Sequence, residues 1–170
     1  MRRVVLLACV LVFAFAACTK DTTGTNSTLS QALKAHAAGN TTEATKLYRQ
    51  VLVTDPGNKY AWYNLGLIAQ TTGDIGQADT DYGRALLTDP RFVSALFNLA
   101  ILRTSEKRTK EAITLYQKIL QVDPKNASAH LNLGFLLGAN TAAGQAELAE
   151  AVRLDSSLSK RIATPAPSKR

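Results

Sequence analysis

The stretch "AWYNLGLIAQ", residues 61–70, returns twice in altered form farther along the chain. Residues 94–103 read "SALFNLAILR", and residues 128–137 read "SAHLNLGFLL". Each copy keeps an Asn-Leu pair followed by a small residue, either glycine or alanine. Because a small side chain lets two backbones approach closely, each copy predicts a place where two helices pack tightly.

Three Asp-Pro pairs define the period of this repetition. Their aspartates are Asp55, Asp89 and Asp123, and the interval from the first to the second equals that from the second to the third. A fixed period of roughly 20–50 residues indicates stacked structural units, each too small to bury its own apolar face. Proline lacks an N–H and clashes with the preceding helical turn, so each pair is expected to follow the end of a helix.

In this frame the sequence resembles the tetratricopeptide repeat (TPR), whose period is about 34 residues. The third unit departs from the signature where Arg103 replaces a small residue, and the first unit lacks the early large residues. The second helix of the fourth unit comes two residues early, with Leu148, Ala151 and Asp155 in the later signature places. The second unit matches every signature position, with Trp62, Leu65, Gly66, Ala69, Ala78, Tyr82, Ala85 and Pro90.

The resemblance implies an all-α fold, an α-solenoid of about four tetratricopeptide helix-turn-helix repeats. The degenerate outer units fit this expectation, since terminal repeats carry a more polar outer face. The repeat domain is predicted over 29–158, with units at about 25–58, 59–92, 93–126 and 127–158, and a basic tail over 159–170.

The segment 1–17 has the anatomy of a secretory signal peptide. Arg2 and Arg3 precede a run of fourteen apolar residues, which as a helix spans about 21 Å, short of the ~30 Å hydrocarbon core of a membrane. The segment "FAAC", residues 15–18, resembles a bacterial lipobox. That resemblance implies lipid attachment at Cys18 and anchoring on the outer side of a bacterial membrane. Ordinary cleavage after Ala16 and an uncleaved anchor are the alternatives.

The segment "TKDTTGTNST", residues 19–28, is polar and rich in threonine. It has no large apolar side chain with which to pack, so residues 18–28 are predicted to form a flexible tether between the lipid anchor and the repeats.

The formal charge of +7 is concentrated at the two ends of the chain. Without the arginines of the leader and the four cations of the tail, 14 basic residues face 13 acidic ones. The folded part is therefore nearly neutral, which argues against nucleic-acid binding.

His36 and His130 lie in different repeats without metal-ligand spacing, and no phosphate loop or nucleophile motif is present. We expect no enzyme activity, no cofactor and no metal.

The resemblance implies that the first helix of each unit lines a concave groove that binds a protein or peptide partner. Asparagine amides can bond an extended backbone in both directions, and apolar side chains beside them provide anchors. Alternatively, some of these side chains pack between repeats and the asparagines form inter-repeat hydrogen bonds. The predicted groove residues are Tyr60, Tyr63, Asn64, Leu67, Phe97, Asn98, Ile101, Leu131, Asn132 and Phe135.

One function of the family is argued against. The resemblance implies that members that bind chaperone tails grip a C-terminal carboxylate with Lys, Asn and Arg at set positions, which here hold Leu29, Leu33, Asn64, Ser94 and Asn98. A clamp without lysine or arginine cannot hold a carboxylate well.

Taken together, the leader, the repeats and the groove predict a lipid-anchored interaction scaffold. The alternative is an accessory or sensor protein whose basic tail contacts anionic lipid or cell-wall polymer.

Overall fold

The computed structural model describes residues 22–163, and across this range every regular element is helical. The all-α fold class is confirmed, as is the solenoid of about four helix-turn-helix repeats. The predictions for the leader and for Cys18 lie outside the described residues. The elements are α1 (Thr22–Ala37), α2 (Thr41–Thr54), α3 (Lys59–Thr72), α4 (Ile75–Thr88), α5 (Val93–Ser105), α6 (Thr109–Val122), α7 (Ala127–Leu137), α8 (Ala142–Leu154), a 3₁₀ turn (Ser156–Leu158) and α9 (Ser159–Ala163).

The helices pack in the order in which they follow one another. Odd-numbered helices from α1 to α7 are the first helices of their repeats, and each packs most extensively on the helix that follows it. Each second helix then packs on the first helix of the next repeat. This nearest-neighbour pattern is that of a solenoid, in which no repeat buries its apolar face alone.

Turn chemistry sets the helix ends. Asn58 and Asp74 accept the backbone N–H three residues later, which supplies a partner to a donor that has none inside the helix. The turn after α3 contains Gly73 at φ +85°, a conformation that glycine adopts without strain. At the corresponding turn after α5, Lys107 takes φ +60° instead.

Close approach of the paired helices explains the small residues in the repeated stretch. A Cβ on Gly66 would lie 2.7 Å from ring carbons of Tyr82, which is fully buried. In the fourth repeat a Cβ on Gly134 would lie 2.7 Å from Leu148 Cγ. Leu148 thus takes the place of the tyrosine two residues early, as the sequence predicted.

Both ends of the repeat array differ from the prediction. Residues 22–28, expected to be part of a flexible tether, form the first turns of α1. Thr25 is buried there, and its hydroxyl lies 3.1 Å from that of Thr54 on α2, so packing against the neighbouring helix overrides the polar composition. At the other end, residues 159–163 of the predicted tail form α9, whose Ile162 packs onto the last repeat.

Between residues 22 and 163, no helix combines the length and the apolar character needed to cross a bilayer.

Candidate functional site

One large apolar side chain per repeat lines the side of the array formed by the first helices. Leu33, Leu67, Ile101 and Phe135 occupy the same place in successive repeats, one repeat period apart, and we call this set the apolar ladder. Leu33, Ile101 and Phe135 are 45%, 39% and 41% exposed, and Leu67 is half-buried. Leu33 was absent from the predicted groove, although the repeat period would have found it.

An aromatic cluster lies at the start of α3 and α5. Tyr60 is 49% exposed, and its ring meets that of Phe92 edge to face, with the centroids 5.6 Å apart. Tyr63, also in the predicted groove, has its ring 5.3 Å from Phe92. Lys59 Nζ lies 2.6 Å from Asp89 Oδ2 and 5.0 Å from the centre of the Phe92 ring, so it joins the start of the second repeat to its end, just before α5. Sequence reasoning missed Phe92 because it precedes α5 rather than lying on it.

The three asparagines of the predicted groove use their amide nitrogens within the protein. Asn64 and Asn132 donate to the carbonyls of Tyr60 and Ser128, each at 2.8 Å. Asn98 donates to the hydroxyl of Tyr63 at 3.0 Å, which is the inter-repeat hydrogen bond considered as an alternative. Asn64 is also buried. Asn98 and Asn132 are partly exposed, so their amide oxygens are better placed to accept from a ligand.

The prediction for Leu131 is wrong. Leu131 is fully buried in a cluster with Leu148 and Leu158, and it takes no part in a groove. The reason is that Leu158 of the 3₁₀ turn and Ile162 of α9 pack in the same cluster as Leu131. Phe97 is half-buried, and its ring meets that of Tyr116 edge to face at 5.7 Å. Phe97 therefore contributes mainly to packing, and the exposed part of the predicted groove is narrower than expected.

The two histidines make local contacts. His36 Nδ1 lies 3.4 Å from the Tyr48 hydroxyl, and His130 Nδ1 lies 2.6 Å from Glu147 Oε2. The second nitrogen of His130 lies 3.1 Å from the carbonyl oxygen of Pro124. In the part of the chain that the structure describes, no three His, Cys, Asp or Glu side chains come close enough together to hold a metal ion.

A cavity that the sequence did not predict lies between α2, α3 and α4. Its volume is about 460 Å³, and its apolar wall includes Trp62 and Ile68. Asp81, which is 2% exposed, contributes a carboxylate that accepts a hydrogen bond from the Gln77 amide at 2.9 Å. Burial raises the pKa of Asp81, while the hydrogen bond from Gln77 partly opposes that rise.

Other titratable groups serve the packing of the repeats. Burial raises the pKa of Tyr48 and of Tyr116 to about 12 in each case. The pKa of Asp89 is lowered, first by its hydrogen bond with Lys59 and then by the bond from the Arg91 backbone N–H. None of these groups has the pKa near neutrality that a general acid or base needs.

Comparisons with known proteins agree with this geometry. The family described as "Cilia and flagella-associated protein 70 middle TPR-like domain" matches residues 29–159. A crystal structure of MamA is 18% identical and has a TM-score of 0.70, with 82% of this chain and 83% of that chain aligned. PilF of Pseudomonas aeruginosa is 25% identical with a TM-score of 0.69, and the alignment covers 79% of this chain but 62% of that one.

A third solved structure contains a ligand. The first TPR of Spaghetti (RPAP3), bound to an HSP90 peptide, is 20% identical with a TM-score of 0.64. The alignment covers 70% of this chain and 94% of that chain. Among curated proteins, no sequence matches this chain.

Proposed function

The chain belongs to the family of the cilia and flagella-associated protein 70 middle TPR-like domain, and from this premise we propose that it is a non-enzymatic scaffold that binds a peptide or protein segment along the apolar ladder. The fold is that of a TPR-type interaction scaffold. The segment that it holds, and the side chains that hold it, belong to the proposal.

The exposure of the apolar ladder is the observation that carries this proposal. An apolar side chain at the same place in four successive repeats forms a continuous stripe, and three of its four members remain well exposed. A contiguous exposed apolar surface on a soluble domain usually marks an interaction site. Scattered exposed leucines would need no such explanation, but a set that recurs once in every repeat does.

The spacing of the ladder favours an extended partner. Each repeat contributes one member of the ladder, so a ligand that follows the ladder must extend from one first helix to the next. A polyproline II segment advances about 9 Å in three residues and presents every third side chain on the same face. We expect a ligand with apolar side chains at every third position, whose backbone N–H groups donate to the amide oxygens of Asn98 and Asn132.

The peptide-bound RPAP3 structure supports a binding role for the fold, but this chain needs a different ligand chemistry. Family members fill the five places of a carboxylate clamp with Lys, Asn and Arg, but here those places contain no lysine or arginine and hold Leu29, Leu33, Asn64, Ser94 and Asn98. The ligand proposed is therefore an internal apolar segment and not a free C-terminus.

Variants on the exposed ladder test this proposal. Ile101→Ser and Phe135→Ser should each weaken binding of peptides selected from a library with apolar residues three apart, by about 2–4 kcal/mol for a true hot spot. Leu87→Ser is the matched control, because Leu87 is 80% exposed on α4 and lies outside the ladder. Unchanged affinity in both ladder variants, with wild-type melting temperatures, would refute the ladder as the site.

The proposal extends to where the protein works. The leader and the lipobox-like residues 15–18 support export and lipid anchoring through Cys18 on the outer side of a bacterial membrane. In that place the scaffold would hold an envelope protein. Mass spectrometry should find a diacylglyceryl-modified Cys18 at the mature N-terminus, and Cys18→Ala should yield an unprocessed or soluble form. A mature N-terminus at Ala17 without lipid would overturn the anchor.

The basic tail supports a second candidate function, an accessory role on anionic lipid or cell-wall polymer. Lys160 and Arg161 are exposed on α9, which places two cations at the end of the array. Salt separates the two functions, since it screens a surface charge contact and leaves an apolar contact mostly in place. A partner released by about 0.5 M salt indicates the tail, and one retained indicates the ladder.

A further inference from the structure

The cavity between α2, α3 and α4 differs from the ladder in both place and chemistry. The side chains of Leu52, Trp62, Leu65 and Ile68 give it an apolar wall, and Asp81 supplies a carboxylate that is almost completely buried. An ionised carboxylate in such a place is costly unless a cation pairs with it. The Gln77 amide provides one hydrogen bond to Oδ1 and no charge.

The neighbouring repeats show that a carboxylate is not needed there for packing. Leu47 and Leu115 hold the place of Asp81 in the preceding and the following repeat, and both pack against the apolar core. The aspartate is thus a departure from the pattern of its own chain, at a position where leucine serves the fold. A buried charge that the fold does not require is a candidate for binding.

The next junction along the array contains its own cation. Arg103 holds the place that Ala69 has one repeat earlier, and its guanidinium is almost completely buried between α4, α5 and α6. It forms ion pairs with Asp79, with Glu106 at 3.0 Å and with Glu111 at 3.3 Å. The cavity that remains beside it has a volume of about 300 Å³. At this junction the chain itself places a guanidinium on an aliphatic stem between two repeats.

At the first junction that guanidinium is missing and the acid remains. Ala69 leaves open the space that Arg103 occupies one repeat later, and the cavity there is larger, at about 460 Å³. Arg49 also lines the cavity, but it is exposed, and within the described part of the chain no ion pair joins it to Asp81.

We propose that the cavity between α2, α3 and α4 binds a guanidinium group on an aliphatic stem, as an arginine side chain carries it, with Asp81 as its counter-ion. The planar guanidinium matches a carboxylate with two parallel hydrogen bonds and stacks on aromatic rings. Trp62 offers such a ring, and the guanidinium carbon of Arg84, an exposed residue of α4, already lies 5.8 Å from its centre. Leu52 and Ile68 would contact the aliphatic stem.

Trp62 makes the test direct, because it is the single tryptophan of the chain and lines the cavity. Its emission is titrated with butylguanidinium and with a nine-residue peptide that has one central arginine. The neutral comparison is the same peptide with citrulline, which replaces the guanidinium by a urea of the same shape. We expect saturable binding of the arginine peptide and at least about tenfold weaker binding of the citrulline peptide.

Three variants sharpen the result. Asp81→Leu, which installs the residue of the neighbouring repeats, should remove the preference for arginine while the fold is retained. Glu43→Gln removes one negative charge on α2 outside the cavity and should bind like the wild type. Ala69→Arg should fill the cavity with an internal guanidinium and abolish binding; if it fails to fold, Asp81→Leu still decides the question.

The possible outcomes separate clearly. Tighter binding of the arginine peptide than of butylguanidinium assigns the site to a protein side chain, and equal affinity assigns it to a free alkylguanidinium; both support the site. No saturable change of Trp62 emission, equal affinity for the citrulline peptide, or full binding by Asp81→Leu would overturn it. Binding that appears only in Arg49→Gln would also overturn it, because Arg49 would then be the natural occupant.

Discussion

The contact between Gly66 and Tyr82 predicts opposite effects for the same substitution at two glycines. Gly66 and Gly83 both lie inside helices of the second repeat, where replacing glycine by alanine normally stabilises by about 0.5–1 kcal/mol. A Cβ on Gly83 meets nothing within 4 Å. A Cβ on Gly66 would lie 2.7 Å from two ring carbons of Tyr82.

The cost at Gly66 follows from how the ring is held. Carbon atoms pack best about 3.5–4.0 Å apart, so the Tyr82 ring would have to retreat by about 1 Å. It cannot do so freely, because Tyr82 is fully buried and its hydroxyl donates to Gln70 Oε1 at 2.6 Å. Overpacking of this kind costs about 1–3 kcal/mol, which exceeds the gain in helix propensity.

We therefore expect Gly83→Ala to raise the free energy of unfolding by about 0.5–1 kcal/mol, and Gly66→Ala to lower it by up to about 2 kcal/mol. Urea unfolding followed by circular dichroism measures both variants. Gly66→Leu should be worse than Gly66→Ala, since it adds volume at the same contact. If Gly66→Ala stabilises the chain as much as Gly83→Ala does, the close approach of α3 and α4 is not what the structure indicates.

Four further predictions concern strain and charge. Lys107→Gly should stabilise the chain by about 0.5–1 kcal/mol in thermal unfolding, because a positive φ strains lysine and not glycine; an unchanged melting temperature would contradict this. Arg103→Met should lower the free energy of unfolding, measured in urea, by about 1–3 kcal/mol. This is less than the loss expected for a fully buried ion pair, because the acidic partners of Arg103 are partly exposed. An unchanged free energy of unfolding would mean that the ion pairs contribute nothing to stability. The raised pKa of Asp81 means that ionisation of its carboxyl opposes folding. The wild type should therefore lose stability relative to Asp81→Asn as the pH rises through that pKa. Urea midpoints of the two proteins between about pH 3 and 7 test this direction, and a difference in stability that does not change with pH would refute it. Asp89 is the opposite case, because its lowered pKa gives stability that is lost as the pH falls through it. Lys59→Met should reduce this loss, since the hydrogen bond from the Arg91 backbone N–H remains.

The fold was predictable because its determinants are local and repeated. The constant period, the small residues at the helix contact and the Asp-Pro pairs each act within one repeat or between neighbours, so a single unit such as 59–92 contains most of the information. The two-residue shift in the fourth repeat was visible for the same reason, since Leu148 had to meet Gly134.

The errors arose where a residue contacts something outside the repeat pattern. Leu131 occupies a groove position by period, but α9 covers it, and no repeat signature describes α9. The threonines of residues 22–28 have a tether-like composition, yet Thr25 finds a partner on α2. Composition and period do not specify such contacts, because they depend on how segments at the ends of the array fold back.

The two unusual residues beside the cavity can be recognised in the sequence by a comparison across repeats, but the cavity itself cannot. Asp81 lies where two neighbouring repeats have leucine, and Ala69 lies where the next one has arginine. Each departure alone looks like ordinary repeat variation. Only the structure shows that the two positions line one space, and this proximity makes the pair of departures meaningful.

The cover that α9 places over the fourth repeat has a consequence for assembly. In a one-dimensional array each terminal unit presents the surface that another unit would occupy, and such a surface can recruit a second copy head to tail. Contacts of that kind produce open filaments when the rotation between copies does not close into a ring. Leu158 of the 3₁₀ turn and Ile162 of α9 pack against Leu131 and Leu148, so these two elements occupy the surface on which another repeat would stack. A chain ending before the 3₁₀ turn would expose this leucine surface, and the length of its assemblies would then depend on protein concentration.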